Sequence, residues 1–365
     1  MKVYLVSNQG RTYLGGFKSK EIKPKVVGLS KYLLSGLNGK YFVKCYSDFT
    51  KNLQVGDVFA SFAYKKIGLS EEDYVDYRFA EYDTKYGPQK CTISKYFVPR
   101  GGKTISSYDI KVQNFAKQFG WNLKKFRNPV MEFELRSKMA EMLKMDFKED
   151  GEYGNSVEDI LKQVKTYAQN NNLRFNEKDT EFKLKRMVVL DYFFGQRDRH
   201  ATNIEFIIHK NNISLTPIFD HERSFGMDVL IENRQPRDWF RLRTGLTTAG
   251  GNIDTYGKSR LFKFGGIVAV DIIEEAKSNQ EIKDLANKCL NLDIEKLIEE
   301  FDSDIKALPE DIKKNIKTAF TSRRELFYKT VAELQKRTKR KDVSNLDFQL
   351  KNETLKCDKE TERTQ

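Results

Sequence analysis

The run Leu190-Asp191-Tyr-Phe-Phe-Gly195-Gln-Arg-Asp198-Arg199-His200-Ala-Thr-Asn203, continuing Ile204-Glu-Phe-Ile-Ile-His209-Lys210-Asn-Asn212-Ile213-Ser-Leu-Thr-Pro-Ile218-Phe-Asp220, decides how the chain is read. An apolar helix runs into Gly195, a natural stop because glycine tolerates the left-handed backbone that ends helices. Gln196 to Thr202 is a polar loop. Ile204 to Ile208 reads as a strand, Lys210 to Asn212 as a turn, and Ile213 to Ile218 as a returning strand that delivers Asp220. The hairpin predicts that the polar loop and Asp220 share one end, so that Asp198, Asn203 and Asp220 come together.

Those three side chains match what phosphoryl transfer from a nucleotide requires. One carboxylate orients the attacking hydroxyl and accepts its proton; an amide oxygen and a second carboxylate hold magnesium across the phosphates. Asp198 and Asn203 have the five-residue offset of such a pair. Asp220 follows after one hairpin, where the second metal ligand is expected.

Outward from this segment the chain divides by character. Its 365 residues carry 65 Lys+Arg against 52 Asp+Glu, a formal net charge of +13, with 26 Phe and 17 Tyr. That aromatic bulk excludes wholesale disorder, and the length predicts two lobes rather than one core. Residues 1–98 read as short strands (Val3 to Val6, Thr12 to Leu14, Tyr32 to Leu34, Tyr41 to Tyr46, Cys91 to Val98) around one helix from about Val55 to Ile67, stopped at Gly68. Residues 99–335 have helical periodicity at Val112 to Phe119, Val130 to Leu143, Ser156 to Gln169, Lys183 to Phe194, Asp271 to Leu290, Asp293 to Leu308 and from Pro309 on. Residues 336–365 have nine basic and six acidic groups with few apolar ones, and read as a frayed helix end and a disordered tail. The predicted fold is α+β, with a small β-rich lobe and a larger, mainly helical one.

Charge and cysteine usage narrow the setting. Ten basic groups against three acidic ones in residues 1–60 predict an anionic visitor to the small lobe. The apolar runs fall far short of the ~20 residues of a membrane-spanning helix, so a soluble, cytoplasmic protein is expected. Cys45, Cys91, Cys289 and Cys357 are too scattered for a zinc site or a disulfide framework and read as reduced thiols.

The spacing Gly195-x-x-Asp198-Arg199-His200-x-x-Asn203, the hairpin, and Pro-Ile-Phe-Asp220 resemble the catalytic and metal-binding segments of HipA-like serine/threonine kinases and, more distantly, of phosphoinositide kinases. The resemblance is specific at 195–220 and weak over residues 1–330. It implies a two-lobed protein-kinase-like fold, ATP and Mg2+ as cofactors, Asp198 as catalytic base, Asn203 and Asp220 as magnesium ligands, and His200 as a loop histidine near the nucleotide. It also implies a phosphate-pairing lysine in the strand lobe. Lys44 fits: in Gly39 to Tyr46 the alternation sets Phe42, Lys44 and Tyr46 on one face and Tyr41, Val43 and Cys45 on the other. Its helical partner falls at Asp57, where the family has a glutamate, so a pairing through water is one expectation.

Further positions follow from the same resemblance. Val27 to Gly36 sits where a phosphate-covering turn is expected, with Gly28 for close backbone approach, the amides of Leu29 to Lys31 as a cradle, and Ser30-Lys31 as its polar pair. Ser30 or Ser35 is a candidate for self-phosphorylation. The adenine is expected on backbone groups of the connector Lys95 to Val98, with Lys95 and Phe97 as candidate contacts. Residues 234–263, with seven basic and two acidic groups, read as a substrate-receiving loop for an acidic or nucleic-acid-bound protein. Many HipA-like kinases pair with an antitoxin, which is the implied partner. A lipid acceptor, a kinase-shaped binding module without turnover, and a transition-metal hydrolase built on His200, His209 and His221 are the rival readings; in the last, His209 sits at the wrong end of the hairpin.

Overall fold

The computed structural model describes residues 2–16, 18–22, 29–36, 39–46, 52–120, 156–196, 199, 201–230 and 269–337. Two sheets organise it. The first has seven antiparallel strands: β1 (Lys2–Ser7), β2 (Gly10–Gly16), β3 (Lys18–Ile22), β4 (Leu29–Gly36), β5 (Gly39–Tyr46), β6 (Arg78–Thr84) and β7 (Gly87–Lys95), in the order β2-β1-β6-β7-β5-β4-β3. β2 and β3 hold opposite edges, yet one residue separates them in sequence. Two Cα–Cα steps span at most about 7.6 Å, so the sheet curls until its edges meet at that end. The curl wraps a small apolar cluster that includes Val3, Leu34, Val43, Cys45, Cys91 and Ile93.

The other face of this sheet receives α1 (Leu53–Lys66), the one helix expected there. Its end is where the sequence placed it, with Gly68 at φ +78°. Val43 and Cys45 belong to the cluster inside the curl while Lys44 and Tyr46 are buried on the α1 side, as the alternation required. β3 and β6 had no place in the sequence reading: Lys18-Ser-Lys-Glu-Ile and Arg78-Phe-Ala-Glu-Tyr-Asp-Thr are rich in charged residues, and pairing with neighbours, not apolar content, makes them strands.

The second sheet has the order β8-β10-β11-β9: β8 (Lys103–Ser106), β10 (Glu205–His209), β11 (Asn212–Leu215) and the short β9 (Arg174–Phe175). The hairpin predicted at 204–218 is β10–β11, in register from Phe206 opposite Leu215 to His209 opposite Asn212. Around it pack α2 (Ser107–Gln118), α3 (Val157–Asn170), α4 (Glu177–Phe193), α5 (Ala269–Ala276), α6 (Gln280–Leu290), α7 (Ile294–Asp304) and α8 (Glu310–Arg337). Ser156 caps α3 by accepting from the Asp159 amide, as its position before Val-Glu-Asp predicts. The single helix expected over Asp271 to Leu290 is two, because Asn279 caps α6 from the Ile282 amide after the polar Lys277-Ser278 step. Val130 to Leu143 lies outside the described residues.

Two of the contacts that join the halves beyond the connector are made by α7 and the residue after it. Phe301 of α7 packs tilted against Phe59 and edge-on against Phe62 of α1 and Phe79 of β6. Asn8, in the β1–β2 turn, donates its amide to the Ile305 carbonyl at 3.0 Å and its side-chain nitrogen to Ser303 O at 3.1 Å, so it closes the carboxyl end of α7.

Candidate functional site

Lys44 enters the site from the middle of β5, and α1 brings Asp57 to it. The ammonium donates to Asp57 Oδ2 at 2.9 Å, to Glu222 Oε2 at 3.1 Å and, in a short contact, to Asp220 Oδ1. All four are buried: Lys44 is 1% exposed, Asp57 0%, Glu222 5% and Asp220 8%. The Lys44–Asp57 pair is therefore direct and not water-mediated. Gly56 explains how a side chain one methylene shorter than glutamate reaches. A Cβ there would lie 2.3 Å from the Glu222 carbonyl oxygen, so only glycine lets α1 come this close to the segment after Asp220.

Asp57 does more than pair the lysine. Its Oδ2 also accepts from Tyr46 OH at 2.7 Å, and its Oδ1 from the backbone amide of His221 at 2.8 Å. The His221 ring is fully buried between Tyr64, at 4.9 Å, and Tyr77, at 5.9 Å, both edge to face. Burial and the nearby Arg199 and Lys44 hold that imidazole neutral, well below the usual histidine range.

Asp220 is fixed from four sides. Its backbone is left-handed, φ 61°, a conformation aspartate tolerates better than most residues. Gln196 Nε2 donates to its carbonyl at 2.5 Å, and its amide donates to Tyr77 OH at 3.4 Å. The preceding residues are pinned too: the Ile218 amide donates to Asp73 O at 2.9 Å, and Val75 N donates to Ile218 O at 2.8 Å. The fourth support is Arg199.

Arg199 is a buried strut. Nε and Nη2 make a two-pronged pair with Asp191 of α4 at 2.9 and 3.1 Å, while Nη1 donates to the carbonyls of Phe219 at 2.7 Å and Asn203 at 3.2 Å. One guanidinium thus ties helix, loop and the strand end before Asp220 together. Arg199 is 4% exposed, so this is a buried pair and not a surface one.

The charges in this site compete. Three carboxylates share one ammonium, so they cannot all be held low. For Asp220, burial alone would raise the carboxyl, yet Lys44, with Lys31 4.0 Å away, holds it well below the carboxylate range. Burial outweighs Lys44 at Asp57 and Glu222, pushing Asp57 up and Glu222 up to about 7. Lys44, which burial would discharge, is kept a cation far above its ordinary value by Asp220, Asp57 and Glu222. Among the described residues, no three His, Cys, Asp or Glu side chains are arranged to hold a metal by themselves. One carboxylate held ionised, in a buried site with surplus negative charge, fits instead an ion that shares its ligands with phosphate oxygens, the usual habit of magnesium.

Sequence-predicted positions fall into three groups. Lys44, Asp57, Asp220 and Lys31 converge, and Asn203 joins them through Arg199 on the short 3-10 turn Ala201–Asn203. The turn expected over Val27 to Gly36 is corrected: Leu29–Gly36 is β4, with Lys31 opposite Lys44 on β5 and opposite Ile22 on β3, so Ser30 and Lys31 are strand residues and their amides belong to a ladder. Ser35 is on the same strand, exposed, opposite Lys40. Lys95 ends β7, and Phe97 packs its ring on Phe219 at 6.0 Å, directly before Asp220. At the connector lies a cleft of about 510 Å³ bordered by Tyr41, Ile93, Tyr96 and Phe97. Gly28, Asp198, His200 and the basic stretch 234–263 lie outside the described residues.

No family model and no curated protein matches the chain. Among solved structures, the proinflammatory kinase CtkA of Helicobacter pylori aligns with a TM-score of 0.53, at 14% identity, over 88% of this chain and 98% of that one. The fold is protein-kinase-like. HipA of the Shewanella oneidensis MR-1 toxin–antitoxin system, solved with HipB and its operator DNA, gives 0.47 at 12% identity over 90% of this chain and 77% of that one. In the kinase-like frame the seven-stranded sheet with α1 is the small lobe, and the hairpin with its helices forms the large one. No helix among the described residues is long and apolar enough to cross a membrane.

Sequence reasoning missed Glu222, Gly56, Asp191 and Gln196. Asp191 carried a signal, a lone charge inside the apolar run Met187 to Phe194, where a buried partner is needed.

Proposed function

We propose that the protein is an ATP- and Mg2+-dependent kinase that transfers a γ-phosphoryl group to a serine or threonine hydroxyl of a protein. The observation that carries this reading is the convergence of Lys44 with Asp57, 13 residues away, and with Asp220, 176 residues away, on a kinase-like fold. In this reading Lys44 binds and orients the phosphates, and Asp57 holds Lys44 against α1. Asn203 and Asp220 are the magnesium ligands; the ion, when bound, supplies charge neutralisation across the phosphates. Asp198 aligns the acceptor hydroxyl and takes its proton as the new O–P bond forms and the β–γ bridge breaks. Backbone groups at Lys95 and Phe97 hold the adenine, Gly28 and Lys31 flank the phosphates, and His200 orders the loop beside them.

The acceptor preference rests on the sequence resemblance to HipA-like kinases, as does an antitoxin partner, and the basic stretch 234–263 favours an acidic or nucleic-acid-bound protein substrate. Self-phosphorylation at Ser30 or Ser35 belongs to the same proposal. Incubation with labelled ATP and Mg2+, alone and with cell lysate, followed by mass spectrometry of the labelled species, tests all of these together. Phosphoserine or phosphothreonine in protein is the expected product. Label confined to added phosphoinositide vesicles, or ATP bound and never consumed, overturns the reading.

A further inference from the structure

Lys44 has three N–H groups, and each already meets a carboxylate: Asp57 at 2.9 Å, Glu222 at 3.1 Å, and Asp220 in the short contact. A phosphate oxygen that bonds this ammonium must take an N–H from one of them. Asp57 is the hardest to release, because it also accepts from Tyr46 OH and the His221 amide. Asp220 has a second cation in reach, Lys31 at 4.0 Å. Glu222 has no second hydrogen bond of this kind among the described residues, and Lys31 acts on it only from beyond ion-pair distance. Among the described residues Lys44 is the donor to its carboxylate, and it is buried.

We propose that Glu222 is a positioning residue that makes nucleotide binding depend on a divalent cation, by holding Lys44 until a second positive charge arrives beside Asp220. The inference rests on the kinase reading above. A buried carboxylate stripped of the cation that donates to it is strongly disfavoured. Triphosphate without metal therefore competes with Glu222 for Lys44 and also faces its charge. Triphosphate that carries a cation brings in the charge that Glu222 gives up. Gly56 makes the arrangement tight, since α1 rests on the Glu222 carbonyl and leaves that segment little room to swing its side chain aside. Coupling of this kind is reciprocal: the cation must tighten nucleotide binding by the same factor that nucleotide tightens the cation.

The measurement is ATP binding by calorimetry to the full chain, with Mg2+ and with chelator, for the wild type and for Glu222→Gln, which keeps the shape and removes the charge. Magnesium is expected to tighten ATP about 100-fold in the wild type and about 10-fold in Glu222→Gln, mainly because the metal-free complex gains affinity. A purely structural loss would weaken both complexes alike and leave the ratio unchanged. If melting shows that the Gln variant does not fold, Glu222→Met gives the same comparison without charge. Equal ratios in wild type and variant overturn the role of Glu222 and leave the kinase reading standing. Absence of ATP binding to the folded wild type under both conditions overturns the two together.

Discussion

Two buried cations, Lys44 beside the Asp220 carboxylate and Arg199 on the carbonyl just before it, are held in different ways. Arg199 spends its planar fork on one carboxylate and two backbone carbonyls, partners that belong to the scaffold. Lys44 spends a compact, rotatable ammonium on three carboxylates that crowd one another. The guanidinium is suited to fixed geometry and the ammonium to exchange of partners. In the kinase reading, one cation builds the site and the other works in it.

The largest effect is expected where the working side meets the reacting atoms. Asp220→Ala and Asp198→Asn should each lower phosphoryl transfer by a factor on the order of 10³ or more while the melting transition stays cooperative. Labelled-phosphate incorporation measures the first and circular dichroism the second; an active Asp220→Ala protein would remove Asp220 from the metal assignment.

On the building side, Asp191→Asn strips a buried guanidinium of its carboxylate and should cost about 3–5 kcal/mol in urea unfolding. The double change Arg199→Met with Asp191→Leu sharpens the contrast. It should recover most of the stability, because apolar pairs replace buried ion pairs well. It should not recover activity, because the Phe219 and Asn203 carbonyls lose their donor. Recovery of both would show that Arg199 is only a packing element.

Gly56→Ala touches both sides at once, since its methyl group falls 2.3 Å from a backbone oxygen that cannot move freely. A loss of about 1–3 kcal/mol is expected, together with a raised KM for ATP as Asp57 is pushed off Lys44. Steady-state kinetics that show unchanged KM would separate the helix contact from lysine positioning.

The smallest effect belongs to Lys31→Ala. At 4.0 Å from Asp220 and a quarter exposed, it should change KM by no more than about threefold, and the change should shrink further at high salt. A tenfold effect that salt leaves untouched would make Lys31 a direct phosphate ligand.

What could be read from the sequence follows the range of the interaction that each feature needs. The β10–β11 hairpin and the face of β5 that carries Lys44 depend on alternation within a few residues, so they were legible. Helix ends marked by Ser156 and Gly68 were legible for the same reason. Asp57 was found but its fit was not, because the missing methylene is made up by Gly56, a neighbour whose meaning depends on a backbone oxygen 166 positions further on. Glu222 carries no local pattern; only the approach of β5 shows what it holds. β4 was mistaken in part for a turn, since Val27 to Gly36 has turn-like residues and its strand character comes from β3 and β5 on either side.

Asn8 has a mechanical consequence. By stitching the first hairpin to the carboxyl end of α7, it adds a fastening to those made by the Ile218 bonds to Asp73 and Val75 and by the packing of Phe301. Cutting the Asn8 fastening should loosen the first hairpin against α7 without touching any group that binds phosphate.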